Sequence, residues 1–188
     1  RRIREGLNMN DIKKSNKDVT IRIGGAAGQG MNSIGGLLGK SFIRSGLWTF
    51  IHHNVMSRIR GGHNFTQIRV HSEPVNCPSS KVDMLVCLDK NTLSLYRDEN
   101  IDLIIFDENQ WKEKVTKGDG FFHLPMEKIA DKEGGDKRMV NTVAAGAVLA
   151  LLNLKTGILE KRLEEIFEEK GDDVIKANRK CARAGFDF

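Results

Sequence analysis

Two short stretches restrict the folds open to this chain more than any other feature. Residues 83–88, DMLVCL, and 103–106, LIIF, are apolar almost without interruption, whereas a strand with one wet face alternates apolar and polar residues. Uninterrupted runs of this length belong to parallel strands covered on both faces. Residues 19–23, 48–52 and 65–70 read as three further strands, and residues 120–124 as an edge strand. Between these strands lie helical patterns. Ile34, Leu37, Leu38 and Phe42 recur at helical spacing and are closed by Gly46, and KNTLSLYRDEN supplies a short crossover helix after the fourth strand. The expectation is α/β: an open, mostly parallel sheet with helices on both faces.

The last third changes character. Asn141 is placed to cap a helix through Leu154 that is apolar nearly all round, with Ala144, Ala145, Gly146 and Ala147 permitting close approach. Leu159, Leu163, Ile166 and Phe167 mark one face of a second, amphipathic helix that Gly171 ends, and a last helix runs from 172 to 184 and stops at Gly185. At 188 residues the chain suits one core better than two. Residues 19–188 read as a single α/β domain with a helical C-terminal third. Residues 1–18, polar and without apolar periodicity or a signal-peptide pattern, read as a flexible tail.

The net charge of +5 is less suggestive than it looks, because residues 1–18 hold six Lys and Arg against three Asp and Glu. No basic stripe with interleaved aromatics follows, so nucleic acid is not expected as a partner. The longest apolar stretch, residues 143–152, is about half of what a bilayer requires, so no membrane is expected either. Cys77, Cys87 and Cys181 are far apart and form no Cys-x-x-Cys pair, which excludes a local cluster or zinc signature and suits a reducing cytoplasm. Cys87, inside MLVCL, reads as a buried thiol.

The turn GGAAGQG after the first strand directs backbone N–H groups and a helix N-terminus toward one point, an arrangement suited to an anion. As a dinucleotide fingerprint it is incomplete. Ser33 stands where Gly28-x-Gly30 would want its third glycine, and the second strand ends in IHHN, with no acid for a ribose. As a P-loop it lacks the lysine and hydroxyl, with Met31 and Asn32 in their places; GKS at 39–41 lies inside the helix and is a chance match. A phosphate cradle and a turn used only for close packing both remain open.

The stretch MSRIRGGHNF, residues 56–65, follows the second strand. In a sheet with that strand parallel to the first, Arg58, Arg60, Gly61, Gly62, His63 and Asn64 share the carboxyl edge with the glycine turn, where open α/β sheets bind ligands. An arginine fork matches carboxylate or phosphate, and paired glycines admit another backbone; the alternative is arginines paired with structural carboxylates. His52 and His53 point to opposite faces of a strand, and no Cys or carboxylate joins them at ligand spacing, so no metal site is expected. No nucleophile motif is present, and no catalytic residue is assigned.

Taken in order, GGAAGQG, SRIRGGHNFTQIRV, VDMLVCLDK, KRMVNTVAAGAVLALLNLKTGILEKRLEEIF and ANRKCARAGF resemble the gamma domain of the 2-oxoacid:ferredoxin (acceptor) oxidoreductases over residues 19–188. The form joined to the alpha subunit in 2-oxoglutarate-type enzymes resembles it most. The resemblance implies a Rossmann-like, three-layer fold in a cytoplasmic, oligomeric complex with alpha and beta partners. That complex oxidatively decarboxylates a 2-oxoacid on thiamine diphosphate, sends electrons through iron–sulfur clusters to ferredoxin, and forms acyl-CoA. It implies that thiamine diphosphate, magnesium and the clusters lie on partner domains, and that this chain binds no cofactor tightly but contacts coenzyme A. By position, Gly25, Gly28, Gln29 and Gly30 match the family's glycine turn, Arg60, Gly61, Gly62 and Asn64 its Arg-Gly-Gly loop, and Asn141 the asparagine opening its buried helix. GDG at 118–120 lacks the following Asn pair of a thiamine diphosphate motif and reads as a turn. The HHNV stretch ahead of Ser57 departs from the aromatic or acidic residue of relatives, which leaves the substrate class open. Without the resemblance, two alternatives stand: an independent nucleotide-binding enzyme, or a scaffold whose turn binds nothing.

Overall fold

The computed structural model describes residues 18–26, 29–56, 63–110 and 120–188. Its centre is a six-stranded sheet of β1 (Val19–Gly25), β2 (Trp48–Asn54), β3 (Asn64–His71), β4 (Met84–Cys87), β5 (Leu103–Phe106) and β6 (Phe121–His123), in the order β2-β3-β1-β4-β5-β6. β1, β4, β5 and β6 run parallel, while β3 is antiparallel to both β1 and β2. The reversal has a simple cause. Nine residues, 55–63, join β2 to β3, too few for the crossover a parallel pair needs. Two reversals restore direction, so β2 points the same way as β1, and the ends of both strands reach one edge.

The helices are α1 (Met31–Arg44), α2 (Lys90–Tyr96), α3 (Met126–Gly134), α4 (Val140–Leu151), α5 (Thr156–Phe167) and α6 (Asp172–Asp187). Strand residues alternate between two cores of unequal size. Ile21, Ile23, Ile68, Met84, Val86, Leu103 and Ile105 pack beneath α1 and α3–α6, with Leu38, Phe42, Val143, Leu159 and Ala182 in the same cluster. Leu85, Cys87, Ile104 and Phe106 face the other way, against Leu93 of α2. The unbroken apolar runs are thus explained by burial on both faces.

Three helix boundaries differ from the sequence expectation. Asn141 does not cap α4. The helix starts two residues earlier, after Met139, and the Asn141 side chain turns away to bond another segment. Asn153, in the left-handed region at φ 54°, closes off the helix short of Leu154. Gly185 does not stop α6, which continues to Asp187. Its role is close approach: a Cβ there would overlap the Val143 carbonyl oxygen, and one on Gly146 would overlap that of Ala182. The two glycines let α4 and α6 cross backbone to backbone at the centre of the helical layer.

Candidate functional site

β1 ends in Gly24-Gly25, and Gly25 pairs with Asn64 at the start of β3. That register puts the end of β1 and the start of β3, with His63 before it, side by side at the carboxyl edge of β1. Of the residues singled out by sequence, Gly25, Gln29, Gly30 and Asn64 are brought together here; Gly28, Arg60, Gly61 and Gly62 lie outside the described residues. Asn64 is buried, and its Oδ1 accepts the Met56 N–H at 2.7 Å. This bond ties the residues just past β2 to the start of β3.

The turn is braced from within. Gln29 Oε1 accepts the Ala26 N–H at 2.7 Å, the Gln29 N–H donates to the Ala26 carbonyl at 3.1 Å, and Gln29 Nε2 reaches the Leu88 carbonyl at 3.4 Å. The Gln29 side chain occupies the space beside Gly25 where a Cβ would stand. Gly30, at φ 73°, precedes α1 in a left-handed conformation that costs glycine little. Asn141 Nδ2 donates to the Gln29 carbonyl at 2.6 Å and fills the position of a Gly30 Cβ. A residue 112 positions away in sequence thereby clamps the turn.

α1 starts without a side-chain cap and with no acid in its first turn. The first N–H groups of a helix have no intrahelical acceptor, so this terminus is a positive, donor-rich end at the sheet edge, suited to an anionic oxygen.

On the α2 side, His63 lies over Gly24, close enough that a Cβ there would come within 2.6 Å of Nε2. Asp89 caps α2 by accepting the Thr92 N–H at 2.8 Å, and it also accepts the Thr92 hydroxyl at 2.7 Å. With its proton committed to Asp89, Thr92 Oγ1 turns lone pairs toward His63 Nε2 at 3.5 Å. This contact favours the Nε2–H tautomer. Burial holds the His63 pKa below that of a free imidazole; Asp89 opposes the shift and Arg22 adds to it. Tyr96 packs edge-on to His63 at 5.3 Å, and the Arg22 guanidinium lies 4.7 Å from the Tyr96 ring and 5.1 Å from that of Phe65. Arg22 is held by Glu99 at 3.0 Å. Asp89, Thr92, Tyr96 and Arg22 were not singled out by sequence, although Asp89-x-x-Thr92 before a helix is a readable capping signal.

His52 and His53 face opposite ways as expected: His53 Nδ1 lies 2.9 Å from Thr66 Oγ1, and His52 meets Phe65 edge-on at 6.2 Å. Cys87 is buried, and burial raises its thiol pKa, so it is a packing residue with no nucleophilic character. On the opposite side of the turn, α1, α4, α5 and α6 enclose a cleft of about 440 Å³ whose wall includes Ser33, Leu37, Arg138, Asn141, Leu163 and Lys170. Asn141 therefore borders both the turn and the cleft. The sequence gives no direct sign of the cleft, since its walls come from four distant helices. Among the described residues, no helix is long and apolar enough to cross a membrane.

Residues 20–188 match the family described as pyruvate ferredoxin/flavodoxin oxidoreductase. The chain is 25% identical over 175 residues to the 2-oxoglutarate synthase subunit KorC of Archaeoglobus fulgidus, covering 92% of this chain and 88% of that protein. It is 22% identical over 152 residues to a 2-oxoacid:ferredoxin oxidoreductase subunit alpha from Sulfolobus, covering 81% of this chain but 24% of that relative. The chain thus spans about a quarter of that longer protein. Among solved structures it is similar to the 2-oxoglutarate:ferredoxin oxidoreductase of Magnetococcus marinus with 2-oxoglutarate, coenzyme A and succinyl-CoA bound, at TM-score 0.80 and 26% identity over 90% of this chain and 30% of that one. It is also similar to the pyruvate oxidoreductase subunit PORC of Thermotoga maritima, at TM-score 0.72 and 26% identity over 91% and 96% of the two chains.

Proposed function

Since the chain belongs to the pyruvate ferredoxin/flavodoxin oxidoreductase family, we propose that it is the gamma part of a 2-oxoacid:ferredoxin oxidoreductase and supplies one wall of its coenzyme A cleft. In the whole enzyme a 2-oxoacid, coenzyme A and oxidised ferredoxin become acyl-CoA, carbon dioxide and reduced ferredoxin. This chain works with alpha and beta partners and takes no part in the redox or thiamine steps. The observation that supports the reading is the pairing of Gly25 with Asn64, which brings one residue of each family motif to one edge beside the uncapped N-terminus of α1. The Magnetococcus relative, at 26% identity, holds coenzyme A and succinyl-CoA.

Coenzyme A supplies the thiol that accepts the acyl group, and its phosphates are the anions that such an edge suits. Gly25, Gln29 and Gly30 hold the turn that aims the α1 N–H groups; Gly28, Arg60, Gly61, Gly62 and Asn64 complete the proposed contact surface. The chain's own residues do not suit iron–sulfur clusters. Cys87 and Cys181 are buried in different cores, Cys77 is exposed beside Arg69, and among the described residues no group of three His, Cys, Asp or Glu side chains could hold a metal. The reading assigns clusters, thiamine diphosphate and magnesium to partner domains.

The test is reconstitution. The purified 188-residue chain should show no 2-oxoacid-dependent reduction of a viologen dye, and addition of its alpha and beta partners should produce CoA-dependent reduction. Dye reduction by the chain alone would overturn the assignment.

A further inference from the structure

The carboxyl ends of β1 and β4 mark the point where the chain leaves the sheet toward opposite faces. β1 leads to α1, whose Ile34, Leu38 and Phe42 share a core with Ile21 and Ile23; β4 leads to α2, whose Leu93 lies in the other core with Leu85 and Cys87. The two strands are parallel neighbours, and open α/β sheets bind ligands in the crevice between connections that diverge in this way. Here the Gln29 side chain spans that crevice. Its Oε1 accepts the Ala26 N–H at 2.7 Å on the β1 side, and its Nε2 reaches the Leu88 carbonyl, just past β4, at 3.4 Å. The carboxamide oxygen thus stands where an anion's oxygen sits when a backbone N–H follows a first strand and precedes a helix.

The turn does not depend on that side chain for its shape. The Gln29 N–H donates to the Ala26 carbonyl at 3.1 Å, and the Gln29 carbonyl accepts Asn141 Nδ2 at 2.6 Å. Both bonds belong to the Gln29 backbone, and α1 starts two residues further on. The carboxamide is held less firmly. Its Nε2 contact is longer than an ordinary N–H···O bond, and Ala26, which donates to its Oε1, is exposed. Oε1 also stands 2.5 Å from where a Gly25 Cβ would be, so rotating the carboxamide away opens a hollow against Gly25 and Leu88 and uncovers the Ala26 N–H. A phosphate oxygen entering that hollow makes a charge-assisted bond, roughly twice as strong as the neutral one it replaces. We propose that Gln29 is an exchangeable occupant of the turn: in the free chain its Oε1 satisfies the Ala26 N–H, and a phosphate oxygen of coenzyme A displaces it. This inference rests on the coenzyme A reading and assigns Gln29 a role within it, as a competitor of the coenzyme.

Steady-state kinetics of the enzyme reconstituted with its alpha and beta partners separates exchange from bracing, with assembly checked by size-exclusion chromatography. Gln29→Ala removes the occupant and keeps the backbone bonds, so it should lower the KM for coenzyme A by about two- to fivefold. Gln29→Glu puts a charged oxygen on the same N–H and should raise that KM roughly tenfold or more. A side chain that only braces the turn gives the opposite order, with Gln29→Ala the more damaging change. A KM for coenzyme A that stays level or rises in Gln29→Ala, or that is unaltered in Gln29→Glu, would overturn the proposal. Gly30→Val, which distorts the turn itself, distinguishes the two levels. If it raises the KM for coenzyme A while Gln29→Ala does not lower it, the exchange is wrong and the coenzyme A reading stands; if it leaves that KM unaltered, both fall.

Discussion

His63 illustrates how position alters an ordinary side chain. Between Asp89 and Arg22, and partly buried against Tyr96, its pKa is lowered first by burial, so it is neutral in the folded chain at neutral pH. The unfolded chain titrates near 6.5. As pH falls below that value, the unfolded state takes up a proton that the folded state resists, and stability decreases. Thermal unfolding followed from pH 7.5 down to about pH 5.5 should show Tm falling, and His63→Gln should make that fall shallower; an identical slope in the variant would mean that His63 is not the group responsible. Asn141 is the second instructive residue. Its position before an apolar run suggests a cap, but its amide is spent on the Gln29 carbonyl, a contact across 112 residues that no local pattern reports.

Among the elements, the strands were the most legible, because burial on both faces leaves an unmistakable apolar run in β4 and β5. The direction of β3 was not marked in its composition; it follows from the length of the connection before it. The edge that joins the glycine turn to Asn64 was legible in outline, because both lie at strand ends. The His63, Thr92 and Asp89 arrangement and the cleft beneath α1 were not, since they depend on which helices pack together. Gly185 shows why glycine is ambiguous in sequence: it ends some helices and lets others touch. Its contact is with the backbone of α4, which cannot move aside as a side chain would. Gly185→Ala should therefore destabilise the chain by about 2–3 kcal/mol despite alanine's better helix propensity, measured by urea denaturation. A neutral or stabilising result would place the helices further apart than described.

At the scale of the whole molecule, the sheet has one edge that gathers donors and, among the described residues, another strand side without a strand partner. The first is the carboxyl edge, where β1, the turn and β3 meet beside α1; the second is the open flank of β2. Among relatives, a matching body makes up most of a separately named subunit or about a quarter of a longer chain. We propose that the glycine turn, clamped by Asn141, forms part of the coenzyme A cleft. The most direct measurement is the KM for coenzyme A of the reconstituted enzyme carrying Gly30→Val, a change that forces a branched side chain into a left-handed conformation and against Asn141. The expected result is a rise of roughly tenfold or more in the KM for coenzyme A with a much smaller change in that for the 2-oxoacid; an unaltered KM for coenzyme A in a correctly assembled variant would remove the turn from the cleft.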